Sequence, residues 1–326
     1  MSDETIDTAV ENPENIIQTK NVTKEFNGTA AVQELSFYVP RGKIFGFIGP
    51  SGSGKTTTLR MLTGYYHPTS GEVRVLGRSP EHFTRAEREN IGYLPQMFSL
   101  YPYLTVWENL NFAASIYGLS LARRKRLENI LEFVELSGDR DKLASQLSGG
   151  MQRRLNLAAT LLHNPDLIFL DEPTAGVDPV LRSKFWEHFR ELQAQGRTMF
   201  VTTQYVSEAA YCDLVGVIDQ GRLVIVDTPA LLRYRAFGGD LVDLHTVAPL
   251  DYATLQAVRE LPFVVSRVSQ QSPTSVRLVV KEAKTDIPAL VDWARERNME
   301  IEAIEEYLPP FDDVFVKLVK EGVENG

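Results

Sequence analysis

The chain has 326 residues, of which 43% are hydrophobic and 24% are charged, and its formal net charge is −9. This length allows one large domain and a small one, and the negative charge argues against a protein that wraps nucleic acid over its surface. A single cysteine, Cys212, excludes an intramolecular disulfide and favours a reducing compartment; its apolar neighbours predict a buried structural thiol.

The first 238 residues predict an acidic tail followed by an α/β domain. Residues 1–15 contain five carboxylates and no Lys or Arg, which is typical of a disordered tail. Residues 16–238 alternate short β-rich runs with amphipathic helical stretches, as in an α/β domain. We expect core strands at residues 43–48, 167–170 and 198–202.

Two helical regions are also predicted in this domain. The stretch 105–147 is mainly helical and opens on a capping box formed by Thr105 and Glu108, so we place a helical subdomain at about 97–160. A further helix starts at Asp178-Pro179 and ends near Gly196. No run reaches the ~18–20 apolar residues that a spanning helix needs, and the start of the chain lacks a signal pattern. We therefore expect a cytosolic chain.

After Gly238-Gly239 the pattern changes to a small α+β module covering residues 239–326. Strands are predicted at 241–245, 264–269, 275–281 and 301–308, and helices at 251–261, 287–298 and 311–321. This βαββαβ order predicts a ferredoxin-like fold. Because the module is acidic and lacks an aromatic RNA-binding signature, we expect no nucleic-acid partner.

A phosphate loop lies directly after the strand at 43–48. The pattern is fitted by Gly49, Pro50, Ser51, Gly52, Ser53, Gly54, Lys55 and Thr56. Glycines turn backbone N–H groups inward, and the following helix adds its positive end. We expect Lys55 to contact the β and γ phosphates of ATP, Thr56 to bind Mg²⁺ and Thr57 to reach the α phosphate.

The strand at 167–170 ends in two carboxylates, Asp171 and Glu172. The alternative is that these two carboxylates are simply solvated at the end of a strand. The phosphate loop in the same chain argues against this alternative. We predict that Asp171 holds the Mg²⁺ shell and that Glu172 polarises the attacking water, since phosphoryl transfer depends on positioning and charge neutralisation.

The run Leu147-Ser148-Gly149-Gly150-Met151 lies between the phosphate loop and a Leu-Asp-Glu-Pro segment. With these motifs the chain resembles the ATP-binding cassette (ABC) family, in particular the ATPase subunits whose membrane part is a separate polypeptide. The resemblance implies a P-loop ATPase core with a helical signature subdomain. It also implies a head-to-tail dimer with a second cassette, either another copy or a paralogue, in which Ser148, Gly149 and Gly150 meet the γ phosphate bound by the opposing subunit.

The resemblance assigns further residues. Gln96 matches the glutamine loop, whose amide touches the metal or the water, and Asp178 lies in the loop that links the two sites of the dimer. Phe26 corresponds to the aromatic residue that stacks on adenine, where tyrosine is more usual; packing in the core is the alternative for this side chain.

One position departs from the family pattern. Gln204 follows Thr202-Thr203, where the family generally has histidine. Its amide can donate a hydrogen bond to the γ phosphate but cannot become cationic. Turnover is then slow or dependent on a partner with the histidine, or the change is mild because Glu172 already supplies the base. The predicted catalytic residues are Glu172, Gln204 and Lys55.

The resemblance implies an ATP-binding and ATP-hydrolysing subunit of an exporter, peripheral on the inner face of the membrane and docked on transmembrane permease subunits. Residues 101–107 are an aromatic candidate for that docking, with packing inside the helical subdomain as the alternative. The segment from Leu241 resembles the appended domain of the drug- and polysaccharide-exporter branch. Two other functions are alternatives. One is a soluble nucleotide-switched ABC protein with little hydrolysis, against which Glu172 counts. The other is a DNA- or ribosome-associated ABC ATPase, against which the single cassette and the acidic balance count.

Overall fold

The computed structural model describes residues 14–97, 100–265 and 268–324, with side chains up to residue 320. It contains two compact units, one up to Val226 and one from Asp227. Residues 1–13 of the predicted tail lie outside the described residues, whereas Asn15 already belongs to a strand. Within the described part of the chain, no helix is both long enough and apolar enough to cross a membrane.

The first unit alternates strands and helices. In chain order its elements are β1 (Asn15–Phe26), β2 (Thr29–Pro40), β3 (Ile44–Ile48), α1 (Lys55–Leu62), β4 (Ser70–Val75), α2 (Arg85–Glu89), β5 (Ile91–Leu94), α3 (Val106–Ile116), α4 (Arg124–Phe133), α5 (Gly149–Leu161), β6 (Leu167–Asp171), α6 (Pro179–Ala194), β7 (Thr198–Thr203), β8 (Leu214–Asp219) and β9 (Arg222–Asp227). The predicted strands at 43–48, 167–170 and 198–202 correspond to β3, β6 and β7.

The strands form two sheets. A six-stranded sheet has the order β5-β6-β7-β3-β8-β9, and β3 pairs in parallel with β7 and β8, as β6 does with β5 and β7. A second sheet, β2-β1-β4, is antiparallel. Because the carboxyl ends of parallel strands meet at one edge, the residues that follow β3, β6 and β7 are brought together there.

Phenylalanine side chains fill the space between the two sheets. Phe200 on β7 is fully buried, and its ring centroid lies 5.4 Å from that of Phe45 and 5.5 Å from that of Phe47. Phe37 on β2 stacks on Phe45 at 5.4 Å. Aromatic pairs at these separations add to the stabilisation from burial. This cluster joins the antiparallel sheet to the strands that carry the phosphate loop and the acidic pair.

The helical subdomain has its own core. Val106 and Leu110 on α3 pack with Leu131 on α4 and Leu155 on α5, and all four are buried. The predicted capping box is present, because Thr105 accepts a hydrogen bond from the backbone N–H of Glu108 and the Glu108 carboxylate accepts one from Thr105. No described strand interrupts this stretch.

Cys212 is buried at 3% exposure, as predicted, and its thiol donates to the backbone carbonyl of Glu208 at 3.6 Å. Burial raises the pKa of this thiol well above its ordinary value, which is typical of an inert structural cysteine.

The second unit contains α7 (Pro229–Phe237), β10 (Asp240–Thr246), α8 (Tyr252–Arg259), β11 (Ser269–Ser272), β12 (Ser275–Val280), α9 (Ala283–Glu296), β13 (Ile301–Tyr307) and α10 (Phe311–Glu324). Its sheet has the order β11-β12-β10-β13, with every neighbouring pair antiparallel. Val242, Leu244, Leu278 and Leu290 are among the side chains of its core.

The second unit differs from the sequence prediction in three places. It starts at Asp227 rather than at residue 239, because α7 packs against α10, with the Arg233 guanidinium 4.0 Å from the Phe311 ring. The strand predicted at 264–269 is wrong as placed: Val264 forms only an isolated bridge, residues 266–267 lie outside the described residues, and β11 starts at Ser269. Helix α9 starts four residues early, since the Asp286 carboxylate accepts the N–H of Glu282 at 2.9 Å and stabilises the first turn.

Candidate active site

The phosphate loop requires glycine at two positions on steric grounds. A Cβ on Gly49 would lie 2.1 Å from the carbonyl oxygen of Ile218, and one on Gly54 would lie 2.7 Å from that of Ala31. Gly54 also has a φ of +102°, in a region that side chains disfavour. The backbone therefore follows this tight path between β3 and α1 only with glycines there.

Lys55 starts α1 and is 5% exposed. Its ammonium donates to the carbonyls of Gly49 and Pro50 at 2.8 and 2.9 Å and lies 3.9 Å from the carboxylate of Glu172. Burial lowers the pKa of Lys55, while the charges of Glu172 and Asp171 act in the opposite direction. The positive charge thus sits inside the loop and close to the acidic pair.

Asp171 lies at the end of β6 with two threonines around it. Its Oδ1 accepts hydrogen bonds from Thr56 at 3.2 Å and from Thr202 at 2.6 Å. Its Oδ2 is buried and has no hydrogen-bond partner among the described residues. A buried, unpaired carboxylate oxygen beside a threonine hydroxyl offers the hard oxygen ligands that Mg²⁺ prefers. The arrangement fits a cation held by few protein ligands together with phosphates.

Glu172 has an unusual backbone conformation, with a φ of +49°. Its N–H donates to both the carbonyl and the hydroxyl of Thr202 at 3.1 Å. Its carboxylate accepts a hydrogen bond from the Gln96 amide at 3.2 Å. The fold therefore brings Lys55, Gln96, Asp171 and Glu172 to one point, although they are up to 117 positions apart in the sequence.

Other predicted residues lie elsewhere or serve their own helices. Ser148 caps α5 by accepting the N–H of Met151 at 3.3 Å, and Asp178 caps α6 by accepting the N–H groups of Val180 and Leu181. Contacts of these side chains with a second subunit stay predictions. So do the roles of Thr57, Gln204 and Phe26.

Phe26 and Gln204 both have exposed surface. Phe26, at the end of β1, is 39% exposed and meets the Tyr66 ring edge-on at 5.1 Å, so it is neither fully packed nor fully free. Gln204 follows β7 and is exposed.

Sequence reasoning missed a buried acidic contact behind the site. Glu208 is 1% exposed, accepts a hydrogen bond from Thr174 at 2.6 Å and lies 3.7 Å from the guanidinium of Arg182. Thr174 belongs to the segment that follows Glu172, and Glu208 lies shortly after β7. The hydrogen bond between them therefore ties this segment to the end of β7. No local pattern announces the contact, because its members come from three separate segments.

Replacing Glu208 with alanine is expected to destabilise the first unit by about 1–3 kcal/mol, because the hydroxyl of Thr174, which is fully buried, would lose its acceptor. Arg182, which is 24% exposed, would lose its nearby carboxylate. Thermal unfolding of the variant measures this loss. Glu187→Ala, an exposed change on α6, is the control and should leave the melting temperature nearly unchanged. Equal melting temperatures for Glu208→Ala and the wild type would contradict the prediction.

Comparisons with known proteins agree with this geometry. The family profile described as ABC transporter matches residues 32–175. The chain is 32% identical over 305 residues to the linearmycin resistance ATP-binding protein LnrL of Bacillus subtilis, covering 93% of this chain and 98% of that protein. It is 40% identical over 231 residues to the probable multidrug ABC transporter ATP-binding protein YbhF of Escherichia coli, which covers 71% of this chain. The chain spans only 40% of the length of YbhF.

The fold is similar to that of a solved ATP-binding cassette, described as a dimeric post-hydrolysis state bound to ADP and Pi. The TM-score is 0.61 at 28% identity, covering 65% of this chain and 98% of that one. The phosphate loop, the acidic pair and the near full-length similarity to LnrL lead to one conclusion: the chain belongs to the ABC transporter family, among its ATP-binding proteins.

Proposed function

We propose that this chain is the ATPase subunit of an ABC exporter, which hydrolyses ATP to drive separate transmembrane permease subunits. The observation that carries the proposal is the convergence of Lys55, Gln96, Asp171 and Glu172 at the carboxyl edge of the parallel sheet. This is the set of charges and hydrogen-bonding groups that phosphoryl transfer to water requires.

The roles of the residues follow from their positions. Lys55 neutralises charge on the β and γ phosphates, and the loop N–H groups together with the start of α1 bind the remaining oxygens. Thr56 and Asp171 hold Mg²⁺, which neutralises developing phosphate charge when bound. Glu172 accepts a proton from the attacking water, and Gln96, hydrogen-bonded to it, orients that water. Gln204 donates a hydrogen bond to the γ phosphate and leaves the base function to Glu172.

The complete site forms between two cassettes. The N-terminus of α5 is exposed at Ser148 and Gly149, and apart from the helix's own backbone a Cβ at Gly149 or Gly150 would have no neighbouring atom within 4 Å. Helix N-termini of this kind bind phosphate. The similarity to a dimeric cassette with ADP and Pi supports dimerisation. We assign a head-to-tail arrangement, in which a second copy or a paralogue supplies the opposing cassette.

The transporter direction and the docking surface follow from separate observations. The relatives named for drug resistance and multidrug transport support export.

Near Gln96, Met97 is 83%, Tyr101 50% and Tyr103 84% exposed, and exposed aromatic and methionine side chains are enriched at protein interfaces. We assign them to contact with the permease at the cytoplasmic face of the membrane.

The second unit is assigned a ferredoxin-like fold. Its elements follow the order β-α-β-β-α-β from β10 to β13, and the antiparallel sheet places β10 and β12 at the centre with β13 and β11 at the edges. This is the arrangement expected when each helix connects two strands across an intervening one.

Mg²⁺-dependent phosphate release by the purified chain tests the proposed activity. We expect turnover with Mg²⁺ and its loss when EDTA removes the ion, with recovery after excess Mg²⁺ is returned. ATP binding without turnover, also in the presence of a partner cassette, would instead support a nucleotide-switched protein.

A further inference from the structure

Within the proposed ATPase, on which this inference rests, we propose that Arg153 is a positioning residue that fixes Glu172 and ties it to the glutamine loop. Arg153 lies on α5, shortly after the Ser148-Gly149-Gly150 segment. It is 4% exposed, which is rare for arginine. None of the motifs in the sequence assigns it a role.

The guanidinium of Arg153 contacts two segments that are far apart in the sequence. Its Nη1 donates to the carbonyl of Gln96 at 2.8 Å. Its Nε donates to the carbonyl of Pro173 at 3.1 Å, and its Nη2 donates to the carbonyls of Asp171, at 3.1 Å, and Glu172. One side chain thus holds the backbone of the glutamine loop and of three consecutive residues at the end of β6.

Only arginine can make this set of contacts. The guanidinium is planar, keeps its charge and presents five N–H donors in fixed directions, whereas lysine has a single compact ammonium. Burial lowers the pKa of Arg153, opposed by the charges of Asp171 and Glu172. The cost of burying the charge is offset by carbonyl acceptors on several sides.

The contact with Glu172 is made where the backbone is strained. Glu172 has a φ of +49°, a region that few residues other than glycine occupy. Such a conformation persists only when its surroundings impose it. Thr202 binds the N–H of Glu172 and Arg153 binds its carbonyl, so the residue is held on both sides. Without the guanidinium the peptide is free to relax and to move the carboxylate.

The same guanidinium links Glu172 to the glutamine loop. The loop reaches Glu172 directly through the Gln96 amide and indirectly through the Gln96 carbonyl and Arg153. A displacement of the loop, which we place against the permease, therefore changes the donors available to the backbone of Glu172. Arg153 provides a physical connection between the docking region and the residue that activates water.

Arg153→Ala, Arg153→Lys and a matched control test the proposal. Arg154→Ala is the control, because Arg154 lies on the same helix and also donates to two carbonyls, those of Val134 at 3.0 Å and Glu135 at 3.2 Å, but none in the site. In Arg153→Ala we expect kcat to fall by roughly tenfold to a hundredfold with little change in KM for ATP, since a small misplacement of a catalytic group has effects of this size. Arg153→Lys should recover part of the loss.

Chemical rescue separates positioning from a purely structural role. Millimolar guanidinium chloride should restore part of the turnover of Arg153→Ala, because the ion fits the carbonyls that the side chain leaves, and sodium chloride should not. The same salt should not raise the turnover of Arg154→Ala. Full activity of Arg153→Ala would overturn the proposal. So would a loss of activity that guanidinium does not relieve and that also occurs in Arg154→Ala.

The wild type and Glu172→Gln are measured in the same series. If the wild type, both alone and with a partner cassette, shows no turnover that Glu172→Gln abolishes, the proposed hydrolysis is overturned, and the role of Arg153 with it. Wild-type turnover that is indifferent to Arg153 would overturn the role of Arg153 alone.

Discussion

Glu172→Gln is expected to lower ATP turnover by about 10²–10⁴-fold, the contribution typical of a general base, while ATP still binds. The glutamine amide cannot accept a proton from water, but its oxygen can keep the hydrogen bond from Gln96. The change also removes a negative charge that lies 3.9 Å from the Lys55 ammonium. Less repulsion then acts on the γ phosphate, so binding is retained or becomes tighter.

Steady-state phosphate release and titration with a fluorescent ATP analogue measure the two effects separately. Glu187→Gln, a change of the same kind at an exposed position on α6, is the control and should leave both unchanged. If Glu172→Gln kept most of its turnover, another group would be the base. If it lost binding as well, Glu172 would have a structural role in the phosphate loop.

Phe200→Ala is expected to destabilise the first unit by about 3–5 kcal/mol, the usual cost of removing a buried aromatic ring. Phe200 touches rings from both sheets, including Phe37 at 6.0 Å and Phe169 at 6.0 Å. It also precedes Thr202 on β7, whose hydroxyl holds Asp171 and Glu172. Loosening β7 should therefore lower turnover at temperatures where the variant is still folded.

Denaturant unfolding measures the loss of stability. The signal should come from a probe in the first unit, because a chain with two units need not unfold in one two-state step. Phe112→Ala is the control: this ring on α3 is 40% exposed and its centroid lies 4.7 Å from that of Tyr101, edge-on. Loss of this single aromatic pair should cost only about 0.5–1.5 kcal/mol. A Phe200→Ala variant as stable as the control would show that the aromatic cluster does not join the two sheets as described.

The motifs could be predicted because their chemistry requires neighbouring residues. A phosphate loop needs glycines, a lysine and a threonine in consecutive positions, and a buried strand that ends in Asp171-Glu172 is recognisable from its apolar run. The capping residues Thr105, Asp178 and Ser148 act within three positions of themselves. These features depend on local geometry alone.

Other features depend on segments that meet only in the folded chain. Arg153 reads as an ordinary charged residue after the Ser-Gly-Gly segment, although residues 157, 160 and 161, on the same side of the helix, are buried. The apolar residues at 157 and 161 indicate that this side of the helix is buried. The sequence does not indicate which carbonyl groups Arg153 would contact there. Likewise, the start of the second unit at Asp227 could not be placed, because it depends on packing between α7 and α10.

The sequence by itself determined the family, because each motif is a short run with fixed spacing. It also predicted the residues to which we assign ATP binding and hydrolysis. The tertiary structure decided how those residues meet. Parallel pairing of β3, β6 and β7 places Lys55, Asp171 and Thr202 at one edge. The buried side chains of Arg153 and Glu208 hold the segment that follows Asp171. Contacts between separate segments follow from the packing of whole elements, which local patterns do not encode.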